Sequence, residues 1–260
     1  MGVDAIEHVA ALSSGPPMDP DLRVDLHFHP DRALAEIVRD GVYRSQFETG
    51  TSNGGLTAHP GGDRWRWESR LFGGVYDEAP AARRPKYGAL NHRRRPEGGA
   101  IRFGSAHLRL TADTLTRTTF CYPDSVFEPV HFGVAERMSL IELVEADDRD
   151  LLDDYVEAHV HGPVRVDRDV EAIVLDPCFR GTAVEDLAGE LPCAVEWHRG
   201  FRLPVRDLTA DYRGAEVVEL GRRLAVDGFL DARIIGRARG HEHPRLVKML
   251  WHHVARFGLG

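Results

Sequence analysis

Hydrophobic and polar positions alternate most regularly across YVEAHVHGPVRV, Tyr155 to Val166. Tyr155, Glu157, His159 and His161 fall on one side and Val156, Ala158 and Val160 on the other. This period of two predicts a strand with a polar working face and an apolar packing face. The same pattern places strands at VYRSQF (42–47), KYGALN (86–91), IRFGSAHLRL (101–110), the β-branched stretch before Pro123, DVEAIVLDP (169–177) and PCAVEWH (192–198). Helical spacing predicts a helix over Arg32–Asp40, capped by Asp31 and closed by Gly41. Further helices are expected over DRWRWESRLF, ended by Gly73 and Gly74, over Gly133–Ala146, and around Thr182–Leu191. Glu68 and Arg70 read as surface charges of the first of these, and the acidic run Glu145–Asp154 as a solvated helix end and turn. From Leu208 onward the pattern is helical, and His252 and His253 lie within the last helix as structural residues. The expected organisation is a flexible lead-in over 1–23, an α+β domain over 24–205, and a C-terminal helical cap over 206–260.

Composition narrows the class. A chain of 260 residues can bury a sizeable core, and 42% hydrophobic with 28% charged residues is ordinary for a globular protein. A net charge of −8 argues against general nucleic-acid binding, which needs a surplus of Lys and Arg on one surface. Arg83, Arg84, Lys86, Arg93, Arg94, Arg95 and Arg102 are a local exception, read either as a solvated basic loop or as an anion site. Cys121, Cys178 and Cys193 lack CxxC spacing and read as reduced thiols. No run of about 18 apolar residues suggests a membrane helix, and the N-terminus lacks the pattern of a secretory signal. The expected location is cytoplasmic, or reached by an export route that needs no signal.

Several positions carry chemistry. Glu157, beside aromatic and imidazole groups, could stabilise a developing positive charge, whereas His159 and His161 could begin a metal site. A second HxH, His27 and His29 in VDLHFHPDR, stands at a strand end. Arg44 falls on a predicted core strand among uncharged neighbours, a costly place unless it meets an anion. The glycine-rich loop ETGTSNGG follows directly, where backbone N–H groups can approach a phosphate or ribose. Ser105 follows a glycine at the start of a strand, where its hydroxyl can reach a ligand or fix a neighbour.

Taken together, VYRSQ, the glycine-rich loop, FGSAH, a later helix and YVEAHVHGPV resemble the mono-ADP-ribosyltransferase superfamily in its Arg, Ser, Glu form, of the bacterial toxin and effector class. Over residues 24 to 260 the chain also resembles an uncharacterised bacterial family, a domain of unknown function, through FHPDR, YRSQFETGTSNGG and HGPV. The transferase resemblance implies a split mixed β-sheet core with flanking helices, mono-ADP-ribosyl transfer from NAD as co-substrate or NAD hydrolysis by the same site, and no metal. It implies that Glu157 stabilises the oxocarbenium-like ribose, that Arg44 holds the NAD phosphates, and that Ser105 contacts the cofactor or orients Glu157. Thr49, Gly50, Thr51, Ser52 and Asn53 would close over the adenosine or phosphate. Tyr155 departs from the Glu or Gln that many such enzymes place two residues before the glutamate, which bears on the acceptor. The acceptor itself, protein or small molecule, is not identified by the resemblance. Two other classes stay open: a metal-dependent hydrolase using His27, His29, His159 and His161, and a non-catalytic NAD-binding module.

Overall fold

In the computed structural model, the described residues are 2–50 and 58–259. The chain opens with α1 (Gly2–Leu12), β1 (Val24–Phe28), α2 (Pro30–Asp40), β2 (Val42–Tyr43), α3 (Gln46–Thr49) and α4 (Asp63–Leu71). Next come β3 (Lys86–Leu90), β4 (Ala106–Leu110), β5 (Thr118–Tyr122), β6 (His131–Val134), α5 (Leu140–Ala146) and β7 (Val156–Val160). The chain continues through β8 (Val164–Arg165), α6 (Val166–Asp169), β9 (Val170–Leu175), α7 (Ala183–Gly189) and β10 (Ala194–Trp197). It ends with β11 (Arg202–Pro204), α8 (Ala210–Arg213), α9 (Ala215–Leu224), β12 (Phe229–Asp231), α10 (Ala232–Ala238) and α11 (Pro244–Phe257).

Eight strands hydrogen-bond into one mixed sheet in the order β10-β9-β4-β1-β3-β7-β5-β6. Its neighbours are antiparallel except β9 and β10, which run parallel. Register decides which side chains share a face. Val156, Ala158 and Val160 of β7 join Val24, Leu26 and Phe28 of β1 in the main apolar core, with Leu34 and Ile37 of α2. Glu157 is paired with Ala89 on β3 and Cys121 on β5, and His159 with Tyr87 and Thr119. The opposite face is therefore polar across several adjacent strands. A second apolar core, including Leu203, Leu220, Leu230, Leu250 and Val254, gathers the C-terminal helices with β11 and β12. Trp251 ties this part to the sheet, its indole N–H donating to the carbonyls of Ile101 and Arg102 at 3.1 Å.

Several local outcomes differ from the sequence pattern, each for a physical reason. The strand expected over 42–47 stops after Tyr43, because Ser45 caps α3 in a reciprocal box with Glu48. Arg44 accordingly is not on a core strand. It stands at the surface, 2.6 Å from Asp40 and 4.0 Å from Glu36. Gly41 does close α2, in the left-handed conformation with φ 66°. The expected helix over 133–146 begins only at Leu140, because Gly133 and Val134 end β6, which completes the sheet edge beside β5, and a turn bridged between Val134 and Arg137 follows. The segment read as a flexible lead-in contains α1, which buries Ala5 and Val9 beside Leu71, Phe72 and Tyr76. Glu68 is buried rather than superficial, because Arg84 reaches it from the next loop at 2.6 Å.

Candidate functional site

The polar face of β7 floors a cleft. Glu157 lines a cavity of about 350 Å³ together with Arg64, Trp67, Tyr87, Phe103 and Asp124. His27, Tyr43, Gln46, Tyr87 and Phe103 are shared with an adjoining cavity of about 210 Å³, which Arg44 and Thr49 also line. Arg102 and Lys248 are shared with a third, of about 790 Å³, where Arg32, Arg239 and Arg245 add further cations. These spaces have common walls, and the Glu157 cavity with the first adjoining one falls on the scale of about 300–1,000 Å³ typical of small-molecule sites.

The carboxylate is held from several directions. Glu157 is 4% exposed, with Oε1 2.9 Å from His159 Nε2 and Oε2 accepting from the Ser125 hydroxyl at 3.3 Å. Burial raises its pKa above the usual carboxylate value, and the positive charge of Arg64 opposes that rise. Asp124 stands beside it, its carboxylate accepting from the Tyr155 hydroxyl. Burial first, and then the charge of Glu157, push Asp124 up to about 6. Two buried carboxyl groups thus share one pocket with the buried Arg64 guanidinium.

His159 belongs to a longer chain of contacts. Its Nδ1 is 3.3 Å from Thr119 Oγ1, which is 2.9 Å from His161 Nε2, and His161 Nδ1 is 2.7 Å from the Tyr76 hydroxyl. Burial lowers both imidazoles to about 3, so both are neutral near pH 7. With neutral rings the chain runs in one direction: Tyr76 donates to His161, His161 to Thr119, Thr119 to His159, and His159 to Glu157. The effect is to hold the Glu157 carboxylate in one orientation.

The residues expected to act together are only partly brought together. Glu157 and Arg44 line adjoining compartments of one cleft, but the Arg44 guanidinium is already engaged by Asp40. Ser105 lies just ahead of β4, with β1 and β3 between it and β7. Its hydroxyl is buried and has no hydrogen-bond partner among the described residues, and its carbonyl accepts from His198 at 2.8 Å. Thr49 and Gly50 end α3, whereas Thr51, Ser52 and Asn53 lie outside the described residues.

The four histidines weighed as metal ligands do not converge among the described residues. His27 engages the Gly104 carbonyl and the Ala100 amide, and His29 packs edge-on against Trp251. Gly98 permits the His27 packing, since a Cβ there would lie 2.4 Å from Nε2. The basic cluster is dispersed onto acids: Arg84 to Glu68, Arg93 to Asp154 and Glu145, Arg94 to Asp19 and Arg102 to Asp153. Of these basic residues, Arg102 reaches the Glu157 cavity.

Sequence pattern missed Arg64, Asp124, Ser125 and Lys248. A signal was present for Arg64, since DRWRWESRL places Arg64 and Glu68 one turn apart on one side of a helix whose buried residues are Arg64, Glu68 and Leu71. Nothing local marks Asp124 or Lys248, which reach the site from a strand end and from the last helix.

No curated protein matches the chain. Among solved structures, DarT of Thermus sp. 2.9 in complex with NAD+ is similar at 14% identity and a TM-score of 0.40, covering 70% of this chain and 97% of that one. No helix among the described residues is long and apolar enough to cross a membrane. The family model described as "Protein of unknown function (DUF3626)" matches residues 23–143 and 131–257, spanning both the sheet and the C-terminal helices. The chain therefore belongs to the DUF3626 family.

Proposed function

We propose that the cleft binds NAD and breaks its nicotinamide–ribose bond, passing ADP-ribose to an acceptor or to water. The observation that carries this is a buried carboxylate, Glu157, on the floor of an aromatic-walled cavity whose far side opens onto a row of cations. Leaving of nicotinamide takes the bonding electron pair onto the ring nitrogen and leaves positive charge on the ribose. A preorganised carboxylate beside that carbon stabilises the charge where it develops. Glu157 would accept from a ribose hydroxyl, with Arg64 keeping it ionised and His159 holding its orientation. Phe103, and the sides of Trp67 and Tyr87 that the Arg64 guanidinium does not cover at 4.9 and 4.2 Å, would meet the nicotinamide, and Arg102 and Lys248, with Arg32 and Arg239 beyond, suit a pyrophosphate. Arg102 and Arg239 are already paired with Asp153 and Asp31, the latter at 3.0 Å, but Arg102 Nε and Arg239 Nη2 are buried without hydrogen-bond partners among the described residues and remain for an anion. Asp124 is placed to take the proton of the attacking hydroxyl or water.

Arg44 and Ser105 then have reduced or indirect parts. Arg44 would border the substrate from the adjoining compartment, and Ser105 would support the β4 end without touching Glu157.

The test is nicotinamide release from NAD, compared between wild type and Glu157→Gln. The expected loss is on the order of 10²–10³-fold with the fold preserved. Equal release from the two proteins would overturn the role of Glu157. Saturable NAD binding without release would leave a binding module.

A further inference from the structure

Cys121 has no part in the proposed reaction, yet it completes a compact donor set. Its Sγ lies 3.8 Å from both Glu157 Oε1 and His159 Nε2, which are 2.9 Å from each other. All three side chains are buried, and the three ligand atoms lie within 4.8 Å of one another. A tetrahedral Zn2+ with bonds of about 2.0–2.3 Å to S, N and O separates its ligand atoms by about 3.3–3.6 Å. The observed triangle reaches that shape with shifts of a few tenths of an ångström.

We infer that Cys121, Glu157 and His159 form a Zn2+ site whose occupation withdraws Glu157 from the sugar. Three arrangements support it. Register alone sets the donors side by side, since Cys121 on β5 and Glu157 on β7 are directly paired and His159 follows two residues later. The outer partner of the histidine is also present. With metal on Nε2, the Nδ1–H donates to Thr119, Thr119 donates to His161, and His161 donates to Tyr76, so the three bonds behind His159 reverse and persist while the metal replaces the His159–Glu157 bond. Charge balances as well. Binding releases the Cys121 thiol proton to water, and Zn2+ with one thiolate and one carboxylate is neutral, which suits a buried site. Arg64 repels a cation here, and Asp124 offsets it. Glu157 lines the open cavity, which supplies an entry path and room for a fourth ligand, water. A mixed thiolate, imidazole and carboxylate set favours zinc over magnesium or calcium.

Only the consequence for catalysis depends on the proposed NAD reaction; binding does not. The experiment titrates metal-free full-length protein with Co2+ as a spectroscopic stand-in for zinc, and then with Zn2+. One equivalent of Co2+ is expected to produce a thiolate-to-cobalt charge-transfer band and tetrahedral visible bands, which Zn2+ abolishes. Cys121→Ser should lose the charge-transfer band, while Cys178→Ser and Cys193→Ser retain it. His159→Gln should weaken affinity by about 10–100-fold, with near-ultraviolet circular dichroism showing that each variant is folded. Nicotinamide release, read for each variant against its own metal-free rate, should be inhibited by stoichiometric Zn2+ in wild type and not in Cys121→Ser. Absence of the band at one equivalent, or its persistence in Cys121→Ser, overturns the site. A band without zinc inhibition keeps the site and overturns its effect on the reaction. A band with no nicotinamide release even in metal-free protein keeps the site and counts against the NAD reading instead.

Discussion

Tyr155 donates its phenolic hydrogen to Asp124, and Ser125, the next residue, donates to Glu157. The side chain two positions before Glu157 thus acts as the clamp for a carboxylate brought from the end of β5. That bond favours ionised Asp124 and restrains a pKa that burial and Glu157 push up to about 6. Tyr155→Phe removes the restraint, so Asp124 should hold its proton to higher pH. The acid limb of the nicotinamide-release profile, expected near pH 6 in wild type, should move upward in the variant. An unmoved limb would detach Asp124 from the reaction.

Binding of the pyrophosphate should fall on the C-terminal side of the cleft. Arg102→Ala and Lys248→Ala are each expected to raise KM for NAD by about tenfold with kcat changed by less than about threefold. Arg44→Ala should do less than either, because Arg44 lines the adjoining compartment rather than the Glu157 cavity and is held by Asp40 at 2.6 Å. Steady-state kinetics on the three variants separates these outcomes, and a larger KM effect at Arg44 would reverse the assignment.

The Arg84–Glu68 pair sits almost wholly out of solvent, at 3% and 1% side-chain exposure. Tyr87 also donates to Glu68 at 3.2 Å, and Arg84 stacks on Phe47 at 3.9 Å. Arg84→Met leaves a buried carboxylate without its cation and should cost about 3–5 kcal/mol in urea unfolding. Arg84→Met with Glu68→Leu should cost less than Arg84→Met alone. If the double variant is the less stable of the two, the penalty does not come from an orphaned charge.

Stability should fall in acid through buried imidazoles. Burial lowers His27 and His253 to about 4, and His159 and His161 to about 3. Such groups stay neutral in the folded chain while the unfolded chain protonates them below about 6.5. Their contribution is complete above that value and is lost as pH falls toward 4. Asp25 and Glu68, raised by burial to about 7, act oppositely, adding a cost as pH rises from about 4 to 7. The urea midpoint is therefore expected to peak between about pH 6 and 7. His253→Leu should narrow the gap between midpoints at pH 7 and pH 5, and an unchanged gap would exclude that imidazole as a source.

Much of the architecture is written locally. Alternation in YVEAHVHGPV is enough to put Glu157, His159 and His161 on one face of β7, because strand periodicity is a property of the backbone itself. Gly41 ends α2 for an equally local reason, its freedom to adopt positive φ. Where two local signals compete, alternation loses. The Ser45–Glu48 capping box turns a predicted strand into α3 and moves Arg44 to the surface.

What encircles Glu157 was decided by tertiary structure alone. Strand register sets Cys121 and Thr119 beside β7, the end of β5 supplies Asp124 and Ser125, α4 supplies Arg64, and α11 supplies Lys248. These residues come from distant parts of the chain, and no short-range period relates them. The sequence by itself determined which face of β7 would be polar. Only the packing of distant elements across that face could determine which charges, hydroxyls and rings surround its carboxylate, since those contacts depend on long-range register and docking.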